Sequence, residues 1–374
     1  MKGYENVRVL IISDYVSGWG GNKISGFIEL AKKVELCDGF VGFAFPDAAR
    51  NSAWINEIEN PVYFYKDVTL LSVMQMINMA VHAWKVNIIH THFWGPREIA
   101  RLKVANRGRC RLVYHIRTFP MHKNDIVRKT FHHMIFCTGL KICISEGIKK
   151  VVEYRYSKNN VHVVYNGVDL NRLSVDNCKD VQLDSSGKKI LIMGYYFDRK
   201  GVDLALKACK KIERQCEFQL YIITDDSEEC TLLCKNSLNS SVMPKWITIL
   251  PAIENIASYY RSIDIFLSPS RSEAFGMSSI EAAYCGCKVI VSKVPGQEEI
   301  GVPEVIWISN PETNLDRSID ELAESLKKVI ISDDVIEQKE FIRKYIENNF
   351  SMDKWVREII ALYRLKGKKS YAKI

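Results

Sequence analysis

The sequence has no uninterrupted apolar run of about 18 residues, the length that a membrane-spanning helix requires. Its amino terminus, MKGYENVRVLIISDY, turns polar after a short apolar stretch and does not have the pattern of a secretory signal. The apolar fraction of 47% and the charged fraction of 26% are typical of a soluble globular protein. We therefore expect a cytoplasmic protein without a membrane span.

Motifs for metal binding and for nucleophilic catalysis are also missing. The eleven cysteines form no paired framework, and the close pairs, Cys230 with Cys234 and Cys285 with Cys287, have no second pair or histidine at zinc-ligand spacing. The sequence contains no P-loop and no Gly-x-Ser-x-Gly elbow. No Asp-x-Asp stands at a strand end, and TDDS at 224–227 fits a turn better. We therefore expect no bound metal.

The net charge of +8 is concentrated partly in the final segment, YRLKGKKSYAKI. Two interpretations stay open, a solvated tail and a peripheral contact with the anionic inner face of the plasma membrane. A nucleic-acid partner is not expected, because no basic motif with interleaved aromatic residues appears. The basic residues of this tail are Arg364, Lys366, Lys368, Lys369 and Lys373.

Apolar strand-like runs alternate with amphipathic stretches along the whole chain, which predicts a doubly wound α/β fold. The polar, aperiodic stretch 171–189 divides the pattern and is interpreted as a linker. We expect two Rossmann-like domains, 1–170 for the acceptor and 171–349 for the donor ligand, with a cleft at the carboxyl ends of their strands. Residues 350–374 are expected to form a helix that crosses back towards the first domain, followed by the basic tail.

Residues 270–286, SRSEAFGMSSIEAAYCG, carry two carboxylates eight positions apart, Glu273 and Glu281. Ser278 and Ser279 are good N-cap residues, which predicts a helix that begins there and stops at Gly286.

Gly276 stands just before this helix and lets the backbone approach a ligand. The free N–H groups of a helix start favour a phosphate. Glu281 would lie on the first turn and Glu273 at the strand-to-loop edge. The segment therefore suits a ligand with a central phosphate and hydroxyl groups at both ends.

A second anion-binding corner is predicted at 194–201, GYYFDRKG, where Lys200 would meet a diphosphate as a point charge. The alternative is that Arg199 and Lys200 belong to a solvated turn. In the first half, Gly20 and Gly21 follow the first strand, but GWGG lacks the full dinucleotide-binding pattern.

Three histidines, His90, His92 and His115, stand at the ends of the predicted strands VNIIHTH and LVYHI. A single histidine there is more often structural than catalytic. Three of them favour a role for at least one, which could hold an acceptor hydroxyl or share its proton.

The segment SEAFGMSSIEAAYCGCKVIVSKVPGQEEI, with its two glutamates in an E-x7-E arrangement, resembles the nucleotide-sugar-dependent glycosyltransferases of family 4. These are retaining enzymes of GT-B fold. VVYNGVDLNRL resembles that family's link between domains, and MGYYFDRKGVDLALKA resembles its phosphate-binding strand and turn. ICISEGIKKV and VNIIHTH are similar to its first-domain segments, so the likeness spans nearly the whole chain.

The resemblance implies a role for each matching residue. Glu281 would accept hydrogen bonds from the ribose, and Glu273 would contact the donor sugar. Lys200 would neutralise the diphosphate, and His115 would lie near the reacting sugar. These imply His115, Glu273 and Lys200 as catalytic residues. The further implied donor contacts are Gly20, Gly21, Pro251, Ile253, Phe275, Gly276, Met277 and Ser278.

The chain departs from the family pattern at Tyr195, which follows Gly194 where an arginine is usual. Arg199 is the candidate substitute, and both residues are included among the donor contacts. The departure puts catalytic activity in question more than it does the fold.

The implied reaction moves a hexose from a nucleotide sugar, expected to be a UDP-sugar, to a glycan or a lipid-linked glycan in cell-surface polysaccharide synthesis. The nucleotide sugar is a co-substrate, and no cofactor or metal is required. Three alternatives stay open: a glycoside hydrolase, a UDP-sugar epimerase, and a non-catalytic nucleotide-sugar-binding subunit that supports a partner transferase.

Overall fold

The computed structural model describes residues 7–119, 126–174, 181–183, 187–253, 255–332 and 338–365. The chain divides into two compact units, Met1–Gly167 with Met352–Ile374, and Val168–Ser351. Within the described ranges, no helix is both long enough and apolar enough to cross a membrane. The tail lysines from Lys366 onwards lie outside the described residues.

The described part of the first unit contains a seven-stranded parallel sheet whose strands succeed one another in the order β3-β2-β1-β4-β5-β6-β7. Its strands are β1 (Arg8–Ser13), β2 (Phe40–Pro46), β3 (Val62–Tyr65), β4 (Ile88–His92), β5 (Arg111–Ile116), β6 (Leu140–Cys143) and β7 (Val161–Val163). Its helices, up to the start of the second unit, are α1 (Gly21–Glu35), α2 (Leu70–His82), α3 (Pro96–Asn106), α4 (Ile126–Phe136) and α5 (Glu146–Arg155), with 3-10 turns at Asp47–Asn51 and Ala53–Glu57.

The second unit repeats the design with six parallel strands in its described segments, ordered β10-β9-β8-β11-β12-β13. Its strands are β8 (Lys188–Met193), β9 (Phe218–Thr224), β10 (Ile247–Pro251), β11 (Ile265–Ser268), β12 (Lys288–Ser292) and β13 (Ile306–Ile308). Its helices are α6 (Phe197–Lys200), α7 (Val202–Ile212), α8 (Ser227–Ser237), α9 (Ala257–Arg261), α10 (Met277–Cys285), α11 (Leu315–Ile331) and α12 (Lys339–Phe350), with a 3-10 turn at Glu298–Ile300.

The last helix, α13 (Met352–Arg364), belongs to the first unit. Its apolar stripe, which includes Trp355, Val356 and Ile359, joins the same buried cluster as Phe27 and Leu30 of α1. Helical spacing of apolar residues on both elements explains why each turns one face inward. The first unit therefore completes its core with the carboxyl-terminal helix.

The prediction of two doubly wound α/β domains is confirmed, since both sheets are parallel and reverse their strand order about the first strand of the unit. The strands β3 and β13 were not predicted. Both are short edge strands, and they are buried only in part, so neither has the continuous apolar run that marks the central strands.

Candidate active site

The switch point of the second sheet lies between β8 and β11, which pair in parallel. Open α/β sheets bind ligands at the carboxyl ends of the strands on either side of such a point. The loop after β8 leads through Tyr195 and Arg199 to Lys200, and the loop after β11 carries Glu273. Two of the predicted donor-binding segments therefore follow adjacent strands.

Lys200 and Glu273 form an ion pair at this switch point. Lys200 Nζ donates to Glu273 Oε2 at 2.6 Å, and the two side chains are only 17% and 12% exposed. Burial by itself raises the pKa of the Glu273 carboxyl, but the charge and hydrogen bond of Lys200, with the charge of Arg199, outweigh burial and hold the pKa below its ordinary value. The structure thus brings two of the three predicted catalytic residues into contact.

Two glycines permit the close backbone packing around this pair. Gly201 has a φ of +70°, and a Cβ there would lie 2.0 Å from the Pro269 carbonyl oxygen. Gly296 has a φ of +84°, and a Cβ there would lie 2.4 Å from the Ala274 carbonyl oxygen. A side chain at either position would displace the loop that carries Glu273.

Helix α10 begins at Met277, with Gly276 as its N-cap at a φ of +97° and no side-chain cap. The prediction that Ser278 and Ser279 are N-caps is wrong, because the left-handed Gly276 turns the chain into the helix before either serine. Ser279 is buried instead, and its Oγ accepts a hydrogen bond from Gln297 Nε2 at 3.3 Å. The first backbone N–H groups of the helix therefore have no capping side chain, which keeps this end suited to an anion.

Glu281 lies on the second turn of α10 rather than the first, since the helix begins earlier than predicted. Its side chain is 7% exposed, and Oε1 accepts from Arg172 Nη2 at 2.9 Å while Oε2 accepts from the Tyr260 hydroxyl at 3.2 Å. Burial raises the pKa of Tyr260, so the phenol stays protonated and donates. Gly286 ends the helix at a φ of +96°, as predicted.

Arg172 and Tyr260 were not predicted as site residues. Arg172 stands in a segment interpreted only as a link between domains, and Tyr260 stands among the apolar residues of a short helix. The residues around Arg172 do not indicate a contact with Glu281, which is 109 positions away along the chain. The residues around Tyr260 do not indicate a contact with Glu281 on the next helix either.

Tyr195 is half-buried, and burial raises the pKa of its phenol to about 12. The guanidinium of Arg199 lies 4.6 Å from the centroid of the Tyr196 ring, and its charge contributes to the low pKa of Glu273. Residues 194–199 line a cavity of about 720 Å³ that extends to the start of α8. The substitution of Arg199 for the missing arginine stays a prediction.

The other predicted donor contacts lie in two places. Pro251 ends the edge strand β10, and its carbonyl oxygen accepts from the Tyr259 hydroxyl at 3.3 Å. Pro251 and the following Ile253 therefore lie two strands from the switch point. Phe275 is buried, and its ring packs edge-on against Phe350 at 5.6 Å between centroids, so its side chain belongs to the core.

In the first unit, Gly20 and Gly21 lie at the start of α1. Gly20 is the N-cap at a φ of −69°, and a Cβ there would lie 3.2 Å from side-chain atoms of Ile24 and Trp54. Gly21 has a φ of +52°, and a Cβ there would meet nothing within 4 Å. Their approach to a donor diphosphate stays a prediction.

The three histidines form a buried cluster on β4 and β5, beside the switch point between β1 and β4. His90 Nδ1 lies 2.6 Å from the Tyr363 hydroxyl, and His90 Nε2 lies 3.2 Å from His115 Nδ1. Burial lowers the pKa of His90 to about 3 and the pKa values of His92 and His115 well below the ordinary value. The three rings are therefore neutral at neutral pH.

Among the described residues, these histidines are the group that offers three candidate metal ligands, with ring nitrogens within 4.8 Å of one another. Arg117 Nε donates to His92 Nδ1 at 3.1 Å. A guanidinium cannot accept a hydrogen bond, so the neutral His92 ring carries its proton on Nε2. A metal ion would need a lone pair on each ring and would meet the Arg117 charge, so the arrangement disfavours a cation.

Two family models match the chain. Residues 176–360 match the model described as glycosyl transferases group 1, and residues 40–172 match the model described as Glycosyltransferase Family 4. The two models meet close to the boundary between the two units, and together they include both candidate glutamates and the histidine cluster.

Known proteins agree with these models. The chain is 27% identical over 330 residues to the uncharacterized glycosyltransferase MJ1178 of Methanocaldococcus jannaschii, over 80% of this chain and 85% of the relative. It is 22% identical over 281 residues to the O-antigen biosynthesis glycosyltransferase WclY of Escherichia coli, over 70% and 77% of the two chains. The structure of Anabaena Alr3699/HepE in complex with UDP and glucose matches the fold with a TM-score of 0.73 at 15% identity, over 95% and 98% of the chains. The chain therefore belongs to the family 4 type of glycosyltransferases and has their two-domain, Rossmann-like GT-B fold.

Proposed function

We propose that the protein transfers a hexose from a UDP-sugar to a glycan or lipid-linked glycan acceptor, with retention at the anomeric carbon, in cell-surface polysaccharide synthesis. The observation that carries the proposal is the pair of buried glutamates in the second unit, each held by its own cation. The relative WclY is named as an O-antigen biosynthesis glycosyltransferase, which supports a role in polysaccharide synthesis. The structure of HepE is a complex with UDP and glucose, which supports a UDP-hexose as the donor.

Glu281 is the proposed acceptor of hydrogen bonds from the donor ribose. Arg172 and Tyr260 fix its two oxygens by donated hydrogen bonds, and a carboxylate oxygen can accept more than one. A carboxylate whose orientation is already fixed loses little freedom when a hydroxyl group binds. Hydrogen bonds to an ionised acceptor are about twice as strong as neutral ones, which suits recognition of a sugar hydroxyl.

Lys200 is the proposed cation for the departing diphosphate. Transfer builds negative charge on the leaving phosphate, and a cation already in position stabilises that charge without reorganisation. Glu273 holds Lys200 in place and would contact the donor sugar. The amides from Phe275 to Ser278 and the charge of Arg199 would supply the remaining stabilisation of the negative charge on the diphosphate, so no metal is needed in this scheme.

The scheme also needs no nucleophile from the enzyme. A phosphate oxygen of the leaving group can take the proton of the acceptor hydroxyl on the face where the acceptor enters. Glu273 is ionised, but the 2.6 Å hydrogen bond to Lys200 lowers its nucleophilicity. His115, neutral and buried, would hold an acceptor group through a ring nitrogen rather than act as a charged acid.

A panel of sugar nucleotides tests the donor. We expect a UDP-hexose to raise the melting temperature, since a ligand that binds only the folded state stabilises it by about 2.7 kcal/mol at a hundred times its Kd. Glu281→Gln and Lys200→Met should each weaken this binding at least tenfold. Glu340→Gln, on the exposed face of α12, is the matched control and should bind like the wild type.

The same samples serve to determine the anomeric configuration of the product and the requirement for a metal. NMR of the product made with the best donor should show the donor's anomeric configuration, and EDTA should leave turnover unchanged. Unchanged donor affinity in both Glu281→Gln and Lys200→Met would contradict the proposal.

A second candidate function is a non-catalytic subunit that binds the nucleotide sugar for a partner transferase. Tyr195, in place of the usual arginine, favours it. Donor binding without turnover by the wild-type protein, with turnover gained in Tyr195→Arg, would select this alternative. Turnover by the wild-type protein alone would exclude it.

The proposal includes a peripheral contact of the basic tail with an anionic membrane. Co-sedimentation with vesicles of anionic lipid, lost at high salt, is the expected result, because surface attraction is screened by ions. Binding that is equal for neutral and anionic vesicles would contradict this contact.

A further inference from the structure

At the carboxyl end of the first sheet, Arg117 is a partly buried cation that has no ion-pair partner among the described residues. Arg117 follows β5, and its Nε and Nη1 donate to His92 Nδ1 at 3.1 Å and to Asn166 Oδ1 at 3.0 Å, both neutral acceptors. No carboxylate among the described residues pairs with it. Burial lowers the pKa of Arg117 to about 10. A charge removed from water is costly unless it is compensated, so an anion beside this guanidinium would be favourable.

A second cation lies in the same region. Lys23 Nζ, on α1, lies 3.3 Å from the centroid of the Phe93 ring and 4.1 Å from that of Tyr15. Burial, and then the charge of Arg117, lower the pKa of Lys23 to about 6. Asp14 acts in the opposite direction, but it forms no ion pair with Lys23, and burial raises the pKa of Asp14 itself. The region therefore holds one guanidinium and an amine that is mostly neutral at pH 7 and that a bound anion would hold in its charged form.

Two ring nitrogens add hydrogen-bonding capacity. His92 carries its proton on Nε2, as the Arg117 contact requires, and this N–H is buried without a partner among the described residues. The Tyr363 phenol is protonated, because burial raises its pKa, and His90 Nδ1 is the partner of its hydroxyl. In the tautomer in which the Tyr363 hydroxyl donates to His90 and His90 donates to His115, the proton of His115 lies on Nε2, which is also buried and has no partner among the described residues.

We propose that Lys23, Arg117 and the Nε2–H groups of His92 and His115 form an oxyanion site in the first unit, and that its ligand is a phosphate group carried by the acceptor. The Arg117 guanidinium, an amine that an anion would hold protonated and two N–H donors match the several acceptor oxygens and the negative charge of a phosphate. The assignment to the acceptor rests on the proposed transferase function, whereas the oxyanion site itself does not.

Sulfate binding to the full-length protein tests the site, because sulfate does not titrate near neutral pH. We expect saturable stabilisation by sodium sulfate beyond that by sodium chloride at equal ionic strength. Lys23→Met should weaken sulfate binding about tenfold or more, since one charge-assisted hydrogen bond is lost. Arg117→Lys, which keeps the charge but not the planar fork, should weaken it to a smaller extent.

Lys32→Met is the matched control, because Lys32 lies on the same helix with a side chain that is 64% exposed. It should bind sulfate like the wild type. Equal sulfate binding by the wild type, Lys23→Met and Arg117→Lys would overturn the site. Zinc binding that is lost in His92→Ala would overturn it in favour of a metal.

The source of the phosphate is tested with UDP on the same variants. An acceptor phosphate predicts that sulfate and UDP bind independently and that Lys23→Met leaves UDP affinity unchanged. Competition between sulfate and UDP, with UDP affinity lost in Lys23→Met, would show a donor phosphate and overturn the acceptor assignment. Donor turnover by the wild-type protein tests the proposed function separately from both results.

Discussion

The two units carry differently charged groups at the carboxyl ends of the strands of their respective sheets. The first described sheet has the strand order 3-2-1-4-5-6-7, and the second, counted from its own first strand, has 3-2-1-4-5-6. Lys200 and Glu273 follow the two strands at the second switch point, whereas the histidines of the first unit lie on β4 and β5, beside its switch point. In the second unit each buried acid has a cation, Lys200 for Glu273 and Arg172 for Glu281. In the first unit, Arg117 and Lys23 have no such partner among the described residues, and the histidines around them are neutral.

The difference indicates in which unit the charges are compensated when no ligand is bound. Paired charges compensate each other, so the second unit has an internal partner for each charge that a donor would contact. Unpaired buried charge is compensated only by a ligand. Mutations should therefore act on the two units in opposite directions when no ligand is present.

Lys200→Met should give the largest effect on stability. It leaves the Glu273 carboxylate buried without its cation, which costs about 3 kcal/mol of unfolding free energy. Chemical denaturation without ligand at pH 7 measures the loss. The unpaired carboxyl has a raised pKa, so the loss should shrink as pH falls and the carboxyl becomes protonated.

The double variant Lys200→Met with Glu273→Gln separates charge from packing. It removes both charges and should recover at least half of the lost free energy. A double variant as unstable as Lys200→Met alone would show that packing, not pairing, determines the stability of this end of the sheet.

Tyr363→Phe should have a smaller effect, because it removes a hydrogen bond between neutral groups. His90 Nδ1 loses its 2.6 Å partner and stays buried, at a cost of about 1–2 kcal/mol. Tyr196→Phe, at an exposed tyrosine, is the control for loss of a hydroxyl. A loss as large as that of Lys200→Met would contradict the distinction between a neutral network and an ion pair.

Lys23→Met should have the smallest effect on the unfolding free energy. The change should be close to zero or stabilising, in contrast to the two preceding variants. The change removes a partly buried amine whose protonation is disfavoured, since its pKa is lowered to about 6, so the ligand-free protein should keep its stability within about 1 kcal/mol or gain some. A loss above about 2 kcal/mol would show that Lys23 has a stabilising partner.

The pH dependence of this variant has a definite direction. Between pH 6 and the ordinary lysine pKa of 10.5, the unfolded chain binds a proton at Lys23 that the folded chain does not, so wild-type stability rises with pH across this window. The advantage of Lys23→Met should be greatest below pH 6 and should diminish as pH rises. The charged groups that face Lys23 are Arg117 and Asp14, with Glu98 beside Asp14.

The sequence predicted most of the fold because the central strands are continuous apolar runs between helical patterns. It predicted Glu273, Lys200 and the stop at Gly286 because each has a local signature in spacing or residue type. It did not predict the partners of Glu281, since Arg172 is distant along the chain and only the tertiary fold brings it close. Nor did it predict that Gly276 is the N-cap, since the left-handed backbone conformation of Gly276 starts the helix before the two serines that are favourable N-cap residues.

The histidine cluster illustrates the same limit. Strand ends were predicted correctly, but the burial of all three rings depends on α13, whose Tyr363 contacts His90 and whose Trp355 stacks on His115 at 6.2 Å between centroids. Period-two alternation along a strand identifies two faces, and it does not show which distant helix covers each of them.

The place of α13 in the first core has a consequence for synthesis on the ribosome. The ribosome releases this helix only after the whole second unit has been made, so the second unit can fold while the first still exposes the apolar surface that Trp355 and Ile359 later cover. Nascent chains stopped after residue 351 should therefore bind chaperones that recognise exposed apolar surface, even though every strand of the two described sheets has already been made.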